Sequence, residues 1–272
     1  MNPNSLLVIP KYEHLFKVKV WRVIDLTEKQ NKGFFARGNE ITKLLLKVIA
    51  SGELADIYKN DSLVTKKSKE EFNKDMTAQV GEVFPTWAPA QAYFQGDKVT
   101  LNGKNYEAAI NSTGKNPATS KNEWEVTTQG QAVFFSDREI YRIRLQEDVI
   151  FDKRRSRLYY DMLSMEFLAY DGVAGIFRPV GCFRYKDLEK VFRNHVKDAV
   201  WFNRYNTAEN KNYADAFLLR LFHGTIDKVE NPDDERIAET YSANGRPYKE
   251  AVWAMEWEEM RMMEKEHNLW EY

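Results

Sequence analysis

The composition of the chain changes abruptly near its middle, and this change limits the folds open to it. Between Val83 and Val126 the sequence is rich in Gly, Asn, Thr, Pro and spaced aromatic residues, and long helix formers are few. Short apolar pieces alternate there with turn signals, and Asn102-Gly103 is typical of a two-residue hairpin turn. We therefore predict a small all-β domain at residues 82–129, inserted into a discontinuous domain formed by residues 1–81 and 130–272.

The flanking sequence combines strand and helix patterns. Three β-rich runs at residues 139–151, 157–170 and 175–185 are separated by short polar turns, which predicts a β-meander. Apolar residues at helical spacing, with capping signals, predict several helices, at residues 40–50, 68–76, from 185 onward, 212–222 and 248–269. The predicted fold class is α+β: a β-meander flanked by helices, with the small β insert and a long C-terminal helix.

Bulk properties argue against several classes of protein. Forty basic residues balance forty-one acidic ones, whereas a nucleic-acid-binding protein normally carries a clear basic excess. The single cysteine, Cys182, excludes an intrachain disulfide. No apolar run approaches the ~20 residues that span a bilayer. Residues 1–10 are too short and too lightly charged for a secretory signal, so we expect either a cytosolic chain or a numbering that begins after a signal was removed.

Catalytic machinery is not indicated by the pattern of ionisable residues. The four histidines lie far apart in the sequence, without metal-ligand spacing. Cys182 and His195 are a conceivable nucleophile and base, but a buried structural cysteine is the commoner case. Glu147, Asp148 and Asp152 suit a charged strand end better than a cation site or a glycosidase pair. We predict that the protein is not an enzyme and that it uses no cofactor or metal.

Four ordered segments carry a resemblance to a known family. Residues 21–31 read Trp-Arg-Val-Ile-Asp-Leu-Thr-Glu-Lys-Gln-Asn, and residues 141–156 contain Gln-Glu-Asp-Val-Ile-Phe-Asp-Lys-Arg-Arg-Ser. Residues 202–210 read Phe-Asn-Arg-Tyr-Asn-Thr-Ala-Glu-Asn, and the chain ends in Glu-His-Asn-Leu-Trp-Glu-Tyr. Together these segments resemble the gliding-motility GldN/PorN family. Thr27 and Val149 depart from that family's pattern, which favours Arg and Trp there.

The resemblance implies a periplasmic structural component of the type IX secretion system of Bacteroidota. Members of that family join a GldK/PorK outer-membrane lipoprotein, together with copies of themselves, in a large ring. Such a protein is peripheral to the outer membrane and does not span it. The resemblance to this family implies no catalytic residues.

Tryptophan residues are the predicted contacts with partner proteins, because this residue type is enriched at interface hot spots. Trp253 and Trp257 on the terminal helix are two of them. An apolar stripe on that helix packs either on its own domain or on another subunit, and it comprises Val252, Met255, Trp257, Met260 and Met263. Trp270 follows in the terminal motif. Trp21 is assigned to the same interface, with a core role as the alternative.

The β insert has a resemblance of its own. Trp87, Tyr93, Tyr106 and Trp124, with the Gly96-Asp97 and Asn102-Gly103 pairs, resemble the small carbohydrate-binding module of chitinases. That resemblance implies a sugar-stacking site on these four aromatic rings. The same rings are also needed for burial in a domain of this size, so a core or docking role stays open. An envelope or appendage adaptor that binds glycan is therefore the alternative function.

Overall fold

The computed structural model describes residues 3–6, 9–78, 84–127, 133–172 and 174–269. Contacts divide the chain into two compact units. The first comprises Met1–Asp75, Ser136–Tyr170 and Phe177–Tyr272, and the second comprises Met76–Phe135 and Asp171–Ile176. The predicted insert, residues 82–129, falls within the second unit. Among the residues described, no helix is both long and apolar enough to cross a bilayer.

The described parts of the two units form six α-helices and sixteen strands, many of them two residues long. The helices are α1 (Ile41–Ser51), α2 (Lys69–Asp75), α3 (Tyr185–Asn194), α4 (Tyr213–Leu218), α5 (Ile237–Ala243) and α6 (Tyr248–Asn268). The strands are β1 (His14–Asp25), β2 (Phe35–Ala36), β3 (Asn39–Glu40), β4 (Thr77–Ala78), β5 (Ala92–Tyr93), β6 (Lys98–Leu101), β7 (Lys104–Ala108), β8 (Ser112–Thr113), β9 (Trp124–Thr127), β10 (Val133–Phe134), β11 (Arg142–Asp152), β12 (Arg157–Asp171), β13 (Ile176–Arg184), β14 (Val200–Trp201), β15 (Lys211–Asn212) and β16 (Thr225–Val229).

A five-stranded sheet with the order β13-β12-β11-β1-β16 organises the larger unit. The predicted meander is confirmed, since β11, β12 and β13 are consecutive neighbours. β1 pairs with β11 in antiparallel register, which places Val20 opposite Glu147 and Arg22 opposite Leu145. The predicted α+β class is also confirmed, because helices and antiparallel sheets are both present.

One face of this sheet carries an apolar cluster that the terminal helix covers. Side chains alternate across a strand, so Val20 of β1 and Val149 of β11 lie on the same face. There they pack with Phe151, Ile226 and Met262, the last contributed by α6. Burial of this cluster holds α6 against the sheet. The stabilising free energy is roughly 25 cal/mol for each Å² of apolar surface removed from water.

Aromatic rings form a second part of the core. Phe34 stacks with Tyr213 at a centroid distance of 5.7 Å and contacts Phe217 at 4.7 Å. Phe192 of α3 meets the same two rings, at 5.6 and 6.3 Å. The predicted helix over residues 212–222 was too long. Its helix, α4, ends at Leu218, and Arg220 adopts a positive φ of 53°, which a continuing α-helix cannot accommodate.

The smaller unit is built around the antiparallel sheet β6-β7-β9. The predicted Asn102-Gly103 turn is confirmed, because both residues have positive φ values, 51° and 74°, as this hairpin type requires. A compact cluster of side chains fills the interior, namely Tyr93, Val99, Tyr106, Ala108 and Trp124, with Trp87 and Leu101 packed against it.

Candidate assembly surface

The inner face of α6 is anchored to the sheet by packing and by charge. Ala251, Met255 and Met262 are buried on this face. The carboxylate of Glu259 forms an ion pair with Arg22 of β1. Apolar contacts and this ion pair together hold the helix in one orientation, so its opposite face is fixed as well.

The outer face of α6 carries large apolar side chains in contact with solvent. Trp253, Trp257, Met260 and Met263 are each between 55% and 60% exposed. At 3.6 residues per turn, the first three fall within about 60° of arc, roughly opposite the buried Met255. Lys249 Nζ lies 4.8 Å from the Trp253 ring centroid. A helix with apolar stripes on opposite faces has a second surface that its own domain does not cover.

The carboxylates on this outer face are not all neutralised. Glu256 and Glu264 are exposed and form no ion pair within the described part of the chain. Eight residues of helix separate them, a rise of about 12 Å. The outer face of α6 therefore combines aromatic and thioether side chains with two unpaired carboxylates and with Lys249, whose ammonium lies over the Trp253 ring.

A buried ion network lies under the same helix. Glu147 is fully buried and lies 3.2 Å from Arg22 Nε and 3.3 Å from Arg220 Nη2. Burial lowers the pKa of Arg22, and the charge of Glu147 opposes that effect. Arg22 also donates to the carbonyl of Gly224 at 2.7 Å. Because every charge in the network has a partner, its role is to join strands and helix.

The acidic residues singled out in the sequence are each neutralised locally. Asp148 lies 2.6 Å from Lys17 Nζ, and Asp152 lies 2.6 Å from Arg155 Nη1. Burial alone would raise the pKa of Asp152, but hydrogen bonds from Arg155 and from two backbone N–H groups lower it below its usual range. Asp152 is the last residue of β11, whereas Glu147 and Asp148 lie inside that strand. All three are buried, so the predicted solvent-facing strand end is wrong, and the charged partners compensate the burial of these carboxylates.

The cysteine and histidine that were weighed as a catalytic pair have different neighbours. Cys182 is buried in a cluster with Tyr58 and Leu63, and burial raises the pKa of its thiol well above the usual range. His195 Nε2 lies 2.6 Å from a carboxylate oxygen of Glu53. Within the described residues, no group of three or more His, Cys, Asp or Glu side chains has the arrangement of a metal site.

The sequence model of one protein family matches residues 9–271 of the chain. That family is described as gliding motility associated protein GldN. The chain is a member of the GldN family. The resemblance read from the four sequence segments is thereby confirmed. No curated protein matches the sequence.

The predicted interface tryptophans lie in different environments. In this GldN-family chain Trp253 and Trp257 stand on the outer face of α6. Trp21 is only 7% exposed, and its indole N–H donates to Asp61. Lys228 Nζ lies 3.8 Å from the Trp21 ring centroid. Trp21 therefore takes the core role, and Trp270 lies outside the described residues.

The aromatic rings assigned to glycan binding are mostly interior. Tyr93, Tyr106 and Trp124 are between 2% and 6% exposed, and Trp124 donates its indole N–H to the carbonyl of Lys115 at 3.1 Å. Trp87 is half-buried against the same cluster. Buried rings cannot offer a face to a sugar, because the small domain needs them for its core. A glycan site on the insert stays a prediction.

Two of the GldN-like segments meet at a pocket that the sequence did not reveal. It measures about 430 Å³ and is lined by Lys29, Gln30 and Lys32 on one side and by residues 201–205 on the other. The backbone N–H of Phe202 donates to the carbonyl of Gly33 at 2.9 Å, which joins the two sides. Each segment was recognisable by itself, but their proximity depends on tertiary contacts between distant parts of the chain.

Proposed function

We propose that this GldN-family protein is a non-enzymatic structural subunit of the type IX protein secretion and gliding motility machinery. In this proposal it lies in the periplasm, peripheral to the outer membrane. There it assembles with copies of itself and with a GldK/PorK-like lipoprotein into a ring.

The outer face of α6 is the observation that carries the proposal. Two Trp and two Met side chains, each more than half exposed, lie on a helix whose other face is fixed to the sheet. Exposed apolar surface of this kind mainly serves protein–protein contact, and Trp is enriched among the residues that dominate binding energy. A structural subunit needs such surfaces.

The environment of the ionisable residues supports a role other than catalysis. Glu147, Asp148 and Asp152 are each held by a cation from the same chain. In an active site, by contrast, ionisable groups with perturbed pKa values come together in a cleft that the substrate can enter. The glycan-binding adaptor is the second hypothesis, and it depends on insert rings other than the buried Tyr93, Tyr106 and Trp124.

Sedimentation of the full chain, alone and with the purified lipoprotein, tests this proposal. The expected result is a multi-subunit species, which a Trp253→Ala plus Trp257→Ala variant forms at least tenfold more weakly. Tyr12→Ala is the matched control, because Tyr12 is 74% exposed and lies outside α6. A wild-type chain that stays monomeric with and without the lipoprotein would contradict the proposal.

A further inference from the structure

The pocket between residues 29–33 and 201–205 concentrates positive charge in a protein whose formal net charge is −1. Lys29, Lys32 and Arg204 are all exposed, and none forms an ion pair within the described residues. Arg22, Arg142 and Arg144 of the sheet, by contrast, are each paired with a carboxylate. Three uncompensated cations at one pocket favour a negatively charged occupant.

Aromatic side chains supply the rest of the pocket lining. Tyr205 is 87% exposed and Phe202 is 40% exposed. Arg204 Cζ lies 5.2 Å from the Tyr205 ring centroid. The indole Nε1 of Trp201 is buried and has no hydrogen-bond partner among the described residues. An occupant with aromatic groups and carboxylates matches this lining better than a simple anion does.

The loop that carries Arg204 and Tyr205 is ordered by its own hydrogen bonds. The backbone N–H of Asn203 donates to Asn210 Oδ1 at 2.9 Å. The backbone N–H groups of Tyr205 and Asn206 donate to Asn203 Oδ1 at 3.1 and 3.2 Å. A loop held in this way loses little conformational entropy when a partner binds.

We infer that the outer face of α6 from a second copy of this chain binds in this pocket. The α6 face presents Trp253, Trp257 and Met260 together with the uncompensated Glu256 and Glu264, about 12 Å apart along the helix. The pocket presents the opposite charge and the same preference for aromatic contact. Both halves of a complementary pair are therefore on one chain, which favours a second copy over an unrelated partner.

The proposed contact joins two different surfaces and is therefore head-to-tail. A contact of that type continues from copy to copy and produces a closed ring or an open filament, whereas a self-complementary contact stops at a dimer. This inference rests on the proposed structural role, since it names the neighbour that covers α6. It leaves other surfaces of the chain for the lipoprotein.

Charge reversal tests the pairing directly. One variant carries Glu256→Lys and Glu264→Lys, and the other carries Lys29→Glu and Arg204→Glu. Each variant alone should associate at least tenfold more weakly than wild type in sedimentation, with an unchanged circular dichroism spectrum. An equimolar mixture of the two should recover assembly, because each reversed surface then meets its complement.

Matched controls carry the same charge changes elsewhere. Lys186→Glu and Asp233→Lys alter exposed residues outside both surfaces and should leave assembly unchanged. Reversal variants that assemble like wild type, or a mixture that stays unassembled, would overturn the pairing while leaving the structural role intact. A wild-type chain that fails to assemble even with the lipoprotein would overturn both.

Discussion

Glu259 of α6 forms an ion pair with Arg22 of β1 and so links the terminal helix to the central sheet. The same guanidinium lies 3.2 Å from the fully buried Glu147. One arginine therefore connects two strands and a helix that are distant in sequence. Together with the packing of Met262 on the sheet, this linkage holds α6 with Trp253 and Trp257 facing solvent.

Removing Arg22 should destabilise the protein far more than removing Glu259. Arg22→Ala leaves a buried carboxylate short of a partner, which costs about 3–5 kcal/mol. Glu259 is one-third exposed, so Glu259→Gln should cost about 1 kcal/mol or less. Urea denaturation measures the free energy of unfolding of both variants. Lys47→Ala is the control and should have little effect, because Lys47 forms an exposed ion pair with Asp198. Equal losses for Arg22 and Glu259 would contradict this assignment.

Gly33 should not tolerate a side chain. A Cβ at this position would lie 2.7 Å from Trp201 Cε2, so Gly33→Ala must displace the indole. We expect a loss of about 1–3 kcal/mol in the free energy of unfolding and a disturbed pocket. Gly172→Ala is the control, because no described atom lies within 4 Å of the place that its Cβ would occupy, and it should be close to neutral. A Gly33→Ala protein as stable as wild type would contradict the close packing of Trp201.

Trp124 should act as a core residue of the β insert. Trp124→Ala removes a ring that is 2% exposed and should cost about 3–5 kcal/mol. Hydrogen exchange of β6, β7 and β9 should then accelerate. Phe94→Ala should have little effect, since Phe94 is 64% exposed. If Trp124→Ala left the exchange unchanged but abolished retention on insoluble glycan, the sugar-binding interpretation would replace the core one.

Asp152 should contribute to the acid sensitivity of the fold. Its pKa in the folded protein is below the usual value of about 3.9, so its stabilising effect is present above that value and is lost as the pH falls through the folded pKa. Wild type should therefore lose more stability on acidification than Asp152→Asn does. Thermal unfolding across this acid range measures the difference, and the exposed Asp233→Asn should follow wild type. Parallel curves for wild type and Asp152→Asn would contradict the assignment.

Local patterns predicted much of this fold. Three β-rich runs separated by polar turns predicted β11–β13. The predicted Ser68–Glu71 capping box is present as reciprocal hydrogen bonds of 3.0 and 3.1 Å. The pairing of β1 with β11 could not be predicted, because the intervening sequence does not specify which distant strand lies beside β1. The spacing of apolar residues along α6 was visible in the sequence. Because two opposite faces of this helix carry apolar residues, only the packing in the folded protein identifies the exposed face.

The pocket at Lys29 and Arg204 was also beyond the sequence. Positive residues in two separate segments do not indicate by themselves that the segments lie close together. In the folded chain, the hydrogen bond between Phe202 and Gly33 joins the two segments. The burial of Tyr93, Tyr106 and Trp124 shows a related limit. An aromatic motif does not distinguish a binding face from a core, and the size of the domain decides between them.

Residue-level oxidation of α6 tests the central claim most directly. Hydroxyl-radical footprinting with mass spectrometry should compare the assembled protein with its dissociated form. Covering of the outer face by a neighbouring chain predicts strong protection of Trp253, Trp257, Met260 and Met263 in the assembly, while Tyr12 remains equally reactive in both. Equal oxidation of the four α6 residues in the two forms would contradict the account.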